Sequence, residues 1–196
     1  MGSYINIGIV YSDNNVHKIN NDLHFVVKYF LQFCDRILVN YPQNDTYENW
    51  EEKSFEGEEG LFDAFTILNT KKMSSGKMCC TIHNNNYNVL VSIRGDSDLF
   101  KGVLFEIQEK ELLHDDYSSE NLDKITNKIA SSLISLWNDT EFSYAFCDSE
   151  ADIEYQLNEI EQSEQPIYSL LLFKNNMNQP TIQLSSWCID GITQRK

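Results

Sequence analysis

The side chains best suited to chemistry in this sequence are four histidines, one of which stands beside two carboxylates. His114 directly precedes two aspartates, a pairing that can serve as a general base. His83 ends a predicted strand beside asparagines. His17 and His24 lie seven residues apart, which is two helical turns rather than the single turn that two metal ligands need. These residues leave open one enzymatic function, a small cytosolic hydrolase or transferase that uses His83 or His114 with neighbouring carboxylates.

The five cysteines are an odd number and include no C-x-x-C pair. Cys79 and Cys80 are adjacent in a predicted strand, so their side chains point to opposite faces and cannot bind one metal ion together. Cys147 comes before Asp148 at a predicted strand end, but acids nearby raise the pKa of a thiol. The pattern predicts buried, reduced thiols and a cytoplasmic location.

Complete catalytic and cofactor motifs are absent from the sequence. It contains no G-x-S-x-G, no P-loop and no G-x-G-x-x-G. Two short acidic stretches resemble fragments of calcium loops, but residues 96–98 lack the remaining ligands, and residues 148–152 lack the central glycine and the glutamate at position 12 of the loop. We therefore expect no cofactor, no metal site and no enzymatic activity.

The negative charge is the strongest functional signal. The formal net charge is −15, and two segments hold all of it. Residues 41–63 carry eight carboxylates against one base, and residues 139–164 carry nine against none. Such a concentration repels itself, repels phosphate and attracts a basic partner. Nucleic-acid binding is therefore not expected.

Aromatic side chains stand among these acids, mainly in the first segment. Carboxylates steer a basic protein toward the surface, and rings supply contact area once water is expelled. The partner-binding residues predicted from both segments are Tyr47, Glu48, Trp50, Glu51, Glu52, Glu56, Glu58, Glu59, Glu150, Asp152 and Glu154.

The elements that must position these residues begin with a sheet. Apolar residues alternate over residues 77–83, 87–93 and 102–108, with turn chemistry between the runs. This predicts a three-stranded antiparallel meander with one buried face. Strands are also predicted over residues 4–11, 36–40 and 142–147, and a C-terminal hairpin over residues 167–173 and 181–189. The first acidic segment is predicted to be irregular up to Gly60.

Helices are predicted where apolar residues recur every three or four positions. These are an amphipathic helix over residues 16–34, a short one after Gly60 that includes Leu61, Phe62, Phe65 and Leu68, and a strong one over 119–138 capped by Ser118 or Ser119. A polar helix is predicted over residues 149–163. The whole chain, residues 1–196, is expected to form a single α+β domain. Its mean hydropathy of −0.42 and lack of long apolar runs predict no membrane contact.

Four stretches in this order resemble immunity proteins of bacterial polymorphic-toxin systems. They are the Ile-Gly-Ile-Val-Tyr opening strand, the amphipathic helix after it, the meander that closes on residues 102–107, and the Tyr-Ala-Phe-Cys-Asp-Ser-Glu-Ala stretch at residues 144–151. The family that the chain resembles is immunity protein family 64. The resemblance implies a small bacterial cytosolic α+β protein that neutralises a cognate toxin by direct binding, without catalytic residues.

The resemblance and the charge lead to one hypothesis. Many such toxins are nucleases with basic clefts, so the expected partner is a basic, nuclease-like toxin domain held by the acidic, aromatic-containing surface. We expect a monomer or dimer. A stable assembly subunit is a further alternative, which a large oligomer in size-exclusion chromatography would reveal.

Overall fold

The chain folds around one sheet that crosses the whole molecule. A computed structural model describes residues 3–30, 36–44, 46–82, 85–95, 98–175 and 179–195. Within these ranges the sheet has nine strands in the order β3-β2-β4-β5-β6-β1-β7-β8-β9. Every neighbouring pair is antiparallel. The predicted α+β class, with a mainly antiparallel sheet and amphipathic helices, is therefore confirmed.

The strands follow the apolar alternation of the sequence. They are β1 (Tyr4–Ser12), β2 (Arg36–Pro42), β3 (Trp50–Glu56), β4 (Ser75–Ile82), β5 (Asn85–Arg94), β6 (Phe100–Gln108), β7 (Tyr144–Ser149), β8 (Leu170–Lys174) and β9 (Pro180–Leu184). The predicted meander is β4-β5-β6, and the predicted C-terminal hairpin is β8-β9. β3 was not predicted, because it lies in the acidic segment expected to be irregular.

The helices are α1 (Ile19–Phe30), preceded by a 3-10 helix at Asp13–Lys18, α2 (Gly57–Thr70), α3 (Glu109–Leu113), α4 (Ser119–Trp137) and α5 (Leu157–Glu161). α4 begins at the predicted cap, where the Asn121 amide donates to Ser118 Oγ at 3.3 Å. The predicted helix over 149–163 is wrong for its first half. Residues 150–156 are irregular, and the helix starts only at Leu157.

The two faces of the sheet are covered differently. α1 to α4 supply apolar side chains to the large core on one face, which we call the inner face. On the opposite, outer face a smaller core forms between β6, β1, β7 and β8 and the chain around residues 151–168. There the rings of Phe146 and Tyr168 stack with centroids 4.0 Å apart. The N-terminal strand β1 lies between β6 and β7, so both cores depend on it.

Glycine is required where Phe146 crosses β1. A Cβ at Gly8 would lie only 2.1 Å from Phe146 Cε1, closer than two carbon atoms can approach. The absence of a side chain at this position therefore lets the aromatic stack lie flat on the strand.

Candidate functional site

Residues 46–63, which we call the acidic edge, form one end of the sheet. β3 is the terminal strand there, and α2 follows it directly and packs against β2 and β3. Eight of the predicted partner-binding residues lie on this edge: Tyr47, Glu48, Trp50, Glu51, Glu52, Glu56, Glu58 and Glu59. All are exposed except Glu51, which is half-buried. β3 alone extends about 20 Å at the usual rise per residue, so the edge is an elongated surface.

Alternation along β3 divides its side chains between the two faces. Phe55 pairs with Ile37 and is 8% exposed, so it anchors the strand in the inner core. Lys53 lies on the same face with its Nζ 5.0 Å from the centre of the Phe55 ring. Trp50, Glu52 and Glu56 occupy the alternate positions. Because only one residue of β3 is buried, its sequence shows no apolar alternation from which a strand could have been predicted.

A tight turn before β3 presents two aromatic rings. Tyr47 has a positive φ of 58°, and its carbonyl accepts a hydrogen bond of 2.9 Å from Trp50 Nε1. Tyr47 remains 37% exposed and Trp50 43% exposed. The indole nitrogen is therefore already satisfied while the ring faces solvent, a state that suits contact with a partner at little polar cost.

α2 carries the third exposed aromatic of the edge. Leu61, Phe65 and Leu68 face the core, whereas Phe62 is 51% exposed. The sequence pattern placed Phe62 with the core residues, although a residue next to Leu61 must point about 100° away from it around the helix. Around Phe62 lie the exposed Glu58, Glu59 and Asp63. Phe62 is thus a candidate anchor that the sequence reading missed.

The second acidic segment lies far from the first. Glu150, Asp152 and Glu154 follow β7, which stands six strand spacings from β3, or about 29 Å at the usual separation. Glu150 has a positive φ of 54°, and its Oε1 accepts from the Tyr4 amide at 3.0 Å. Tyr168 Oη donates to the Asp152 carbonyl at 3.2 Å. The prediction that these three acids begin a helix is wrong, because this stretch bonds to neighbouring elements instead of to itself.

Glu106 on β6 adds a further carboxylate beside this segment. It pairs with Asn6 of β1, and its side chain is mostly buried. Burial raises its pKa, Arg94 at 3.9 Å opposes that rise, and Asp152 and Glu150 add to it. Neither Glu106 Oε2 nor Asn6 Oδ1 accepts a hydrogen bond within the described part of the chain.

A cavity of about 320 Å³ opens on the outer face between β8 and the residues after β9. Its lining includes Asp148, Ser169 and Trp187. Asp148 accepts from the Ser169 amide at 2.9 Å and from Ser169 Oγ at 2.5 Å, and Trp187 is 44% exposed. The cavity therefore combines a fixed carboxylate with an accessible ring, which are the features that bind a cationic side chain.

Of the two histidines of the enzymatic alternative, His114 does not form a site with the acids beside it. His114 is exposed at the end of α3 with a φ of 54°, and its ring lies 6.4 Å from that of Tyr87, measured between centroids. The two acids beside it are used locally. Asp115 pairs with Lys110 at 3.7 Å, and Asp116 accepts from the Ser118 amide at 3.0 Å. His83 lies outside the described residues.

The described residues also offer little support for thiol chemistry, metal binding or a membrane-spanning helix. Cys147 is fully buried, and its thiol pKa is raised by burial and then by Asp148, so it is not an activated nucleophile. In the described ranges no group of three or more metal-ligating side chains is placed to hold an ion. Nor does any helix there have the length and apolar character needed to cross a membrane.

Comparison with known proteins supplies the family context. The family model described as Immunity protein 64 matches residues 1–195. A chain of the 1.75 Å crystal structure of the toxic C-terminal tip of CdiA from Pseudomonas aeruginosa in complex with immune protein is similar to this chain. The match has 15% sequence identity and a TM-score of 0.46, and it covers 80% of this chain and 93% of the other. No curated protein matches the sequence.

Proposed function

The chain belongs to the immunity protein 64 family, and we propose that it neutralises a basic, nuclease-like toxin domain by binding it through the acidic edge. The observation that carries the proposal is the exposure of Tyr47, Trp50 and Phe62 among carboxylates at one edge of the sheet. A nuclease cleft binds phosphate with basic side chains. Carboxylates at the acidic edge take the place of those phosphates, and the exposed rings provide the short-range contact.

Two kinds of interaction contribute to toxin binding, one at long range and one on contact. The carboxylates act at a distance, where they raise the rate of encounter with a basic protein by roughly ten- to a thousandfold. The rings act on contact, since aromatic residues at the centre of an interface contribute most to affinity. Glu150, Asp152 and Glu154 extend the attractive field toward the other end of the sheet.

The proposal assigns no catalytic step to this chain and places it in the cytoplasm. The separated, locally bonded acids beside His114 support a role in binding alone. Cys147 and Cys188 are buried free thiols, which fits a reducing compartment. Neutralisation then depends on the stability of the complex rather than on turnover.

The test is capture of the partner from the native cells at low and at high salt, with identification of the bound protein. We expect one basic protein that is toxic when expressed alone and harmless when expressed with this chain. Its release at high salt would support the electrostatic contact. Capture of no toxic protein would contradict the immunity function, and capture of an acidic toxin that stays bound at high salt would contradict the charge-based interface.

A further inference from the structure

The two edge strands of the sheet, β3 and β9, carry different kinds of side chain on the inner face. One row of directly paired residues crosses the inner face from β3 to β9: Lys53, Val39, Gly76, Val91, Phe105, Ile7, Cys147, Leu170 and Leu184. At the β3 edge the row ends in a charged lysine. At the β9 edge it ends in Leu184, which is 43% exposed although its neighbour Leu170 is fully buried.

The next row ends in the same way. Leu172 is fully buried, whereas its β9 partner Ile182 is 37% exposed. β9 contains no charged residue, but β3 contains four. Charged side chains normally protect an edge strand from pairing with other chains. In the described part of the chain β9 has a neighbouring strand on one side only, so the backbone groups of its other side face no strand. α4 approaches β9 but leaves Ile182 and Leu184 partly exposed, and the edge is protected mainly by its shortness and Pro180.

We propose that the free edge of β9 pairs with an extended segment of the toxin, in which apolar and basic side chains alternate. The apolar side chains would cover Ile182 and Leu184 and so extend the inner core by one strand. The basic side chains would point to the outer face, where the Asp148 cavity opens beside residues 185–187. This inference rests on the proposed function and adds a second contact, eight strand spacings or about 38 Å from the acidic edge.

Charge favours a toxin over a second copy of this chain as the occupant. Two copies would bring together proteins that each carry a net charge of −15, and such charges repel. An edge of five residues also buries much less surface than the roughly 1,200 Å² at which stable interfaces begin. A basic strand of the toxin would instead be attracted to this edge, because the second acidic segment follows β7, only two strands from β9.

The test is hydrogen exchange of the wild-type chain alone and in complex with the toxin recovered by the pull-down. We expect the outward-facing β9 amides to exchange rapidly in the free chain and to be protected in the complex at least about tenfold. Unprotected β9 amides in a complex that still neutralises the toxin would overturn the strand pairing and leave the proposed function intact. Failure of the wild-type chain to bind any toxin would contradict both.

Two uncharged variants separate the inner face of β9 from the outer face. The I182S/L184S variant removes the apolar side chains of the partly exposed rows, and the control T181S/Q183S changes the other face of the same strand without adding charge. We expect the first to weaken toxin binding at least about tenfold more than the second. Equal affinities would overturn the proposal. So would a wild-type dimer that I182S/L184S dissociates without a change in toxin binding, because a second copy would then occupy the edge.

Discussion

Charge reversal at the acidic edge tests how much of the toxin encounter this surface controls. The variant E52K/E56K/E59K changes three exposed carboxylates and moves the net charge from −15 to −9, since each reversal adds two units. The control D98K/D115K/E120K makes the same change at three exposed acids outside both acidic segments. Any difference between the two variants therefore reports position rather than total charge.

The expected magnitude follows from the exposure of these groups. With a toxin charge roughly 7 Å from each carboxylate in water, one pair contributes about 0.6 kcal/mol, and reversal changes it by about 1.2 kcal/mol. Three reversals, screened over a Debye length of about 8 Å at 0.15 M salt, amount to about 1.5 kcal/mol, or about tenfold in association rate. At about 0.05 M salt the weaker screening raises this to about thirtyfold.

The assay is stopped-flow association with the captured toxin across a salt series. The edge variant should associate about ten times more slowly than wild type at 0.15 M salt and should depend less steeply on salt. The control should stay within about twofold, because Asp98 precedes β6 and Asp115 and Glu120 follow it, and β6 lies four strand spacings, or about 19 Å, from β3. At 0.15 M salt this is more than two Debye lengths, so these charges are screened from the acidic edge. If the two variants slow association equally, only the net charge matters and the acidic edge is not the interface.

Three further predictions concern single side chains. Phe62→Ala should weaken toxin binding about tenfold with little change in the urea midpoint. Its control Phe65→Ala, which removes a ring that is 1% exposed, should instead lower the free energy of unfolding by about 3–5 kcal/mol. An unaltered toxin affinity for Phe62→Ala would exclude Phe62 as an anchor. Gly8→Ala should lower the free energy of unfolding by about 1–3 kcal/mol, because the new Cβ would overlap with Phe146. Gly60→Ala, whose Cβ would meet Phe55 at an ordinary 3.4 Å, should raise the free energy of unfolding by up to about 1 kcal/mol. Urea titration measures both values, and equal effects of the two variants would contradict the packing argument. Glu106→Gln should stabilise the chain near neutral pH and lose this advantage below about pH 4. The reason is that the folded-state pKa of Glu106 is raised, so its ionised form costs free energy of folding only at pH values above the unfolded-state pKa. A gain in stability that persists in acid would show that charge is not its cause.

Much of the sheet was predictable because its strands bury every second residue. In β4 to β6 the alternation of apolar residues predicted both the strands and their order. The turn predicted at residues 84–86 is wrong for Asn85 and Asn86, which pair with β4 as the start of β5, and Asn84 lies outside the described residues. β3 escaped prediction because it buries Phe55 alone and is held by backbone pairing with β2, which leaves no pattern in its sequence. Edge strands of this kind are specified by their neighbour more than by their own residues.

The candidate site was predicted in composition but not in shape. Acids and aromatics of residues 47–59 lie on one edge, whereas Glu150, Asp152 and Glu154 lie about 29 Å away, a separation that only the strand order reveals. The predicted helix at 149–163 was half wrong because Asn6 Nδ2 donates to the Ala151 carbonyl at 2.7 Å, and long-range bonds of this kind outweigh local propensity. The apolar edge at β9 could not be predicted from the sequence, because an exposed leucine and a buried leucine fit the same apolar pattern.

The central position of β1 governs when protection can begin in a growing cell. Its partners β6 and β7 end at Gln108 and Ser149, so the first strand made by the ribosome waits for most of the chain before it can be enclosed. Pairing across such sequence separations is slow compared with local structure formation. At a synthesis rate of roughly 5–20 residues per second, about 7 to 30 seconds pass before the end of β7 is made. A cell therefore gains resistance from molecules finished before the toxin arrives, and not from those still being translated.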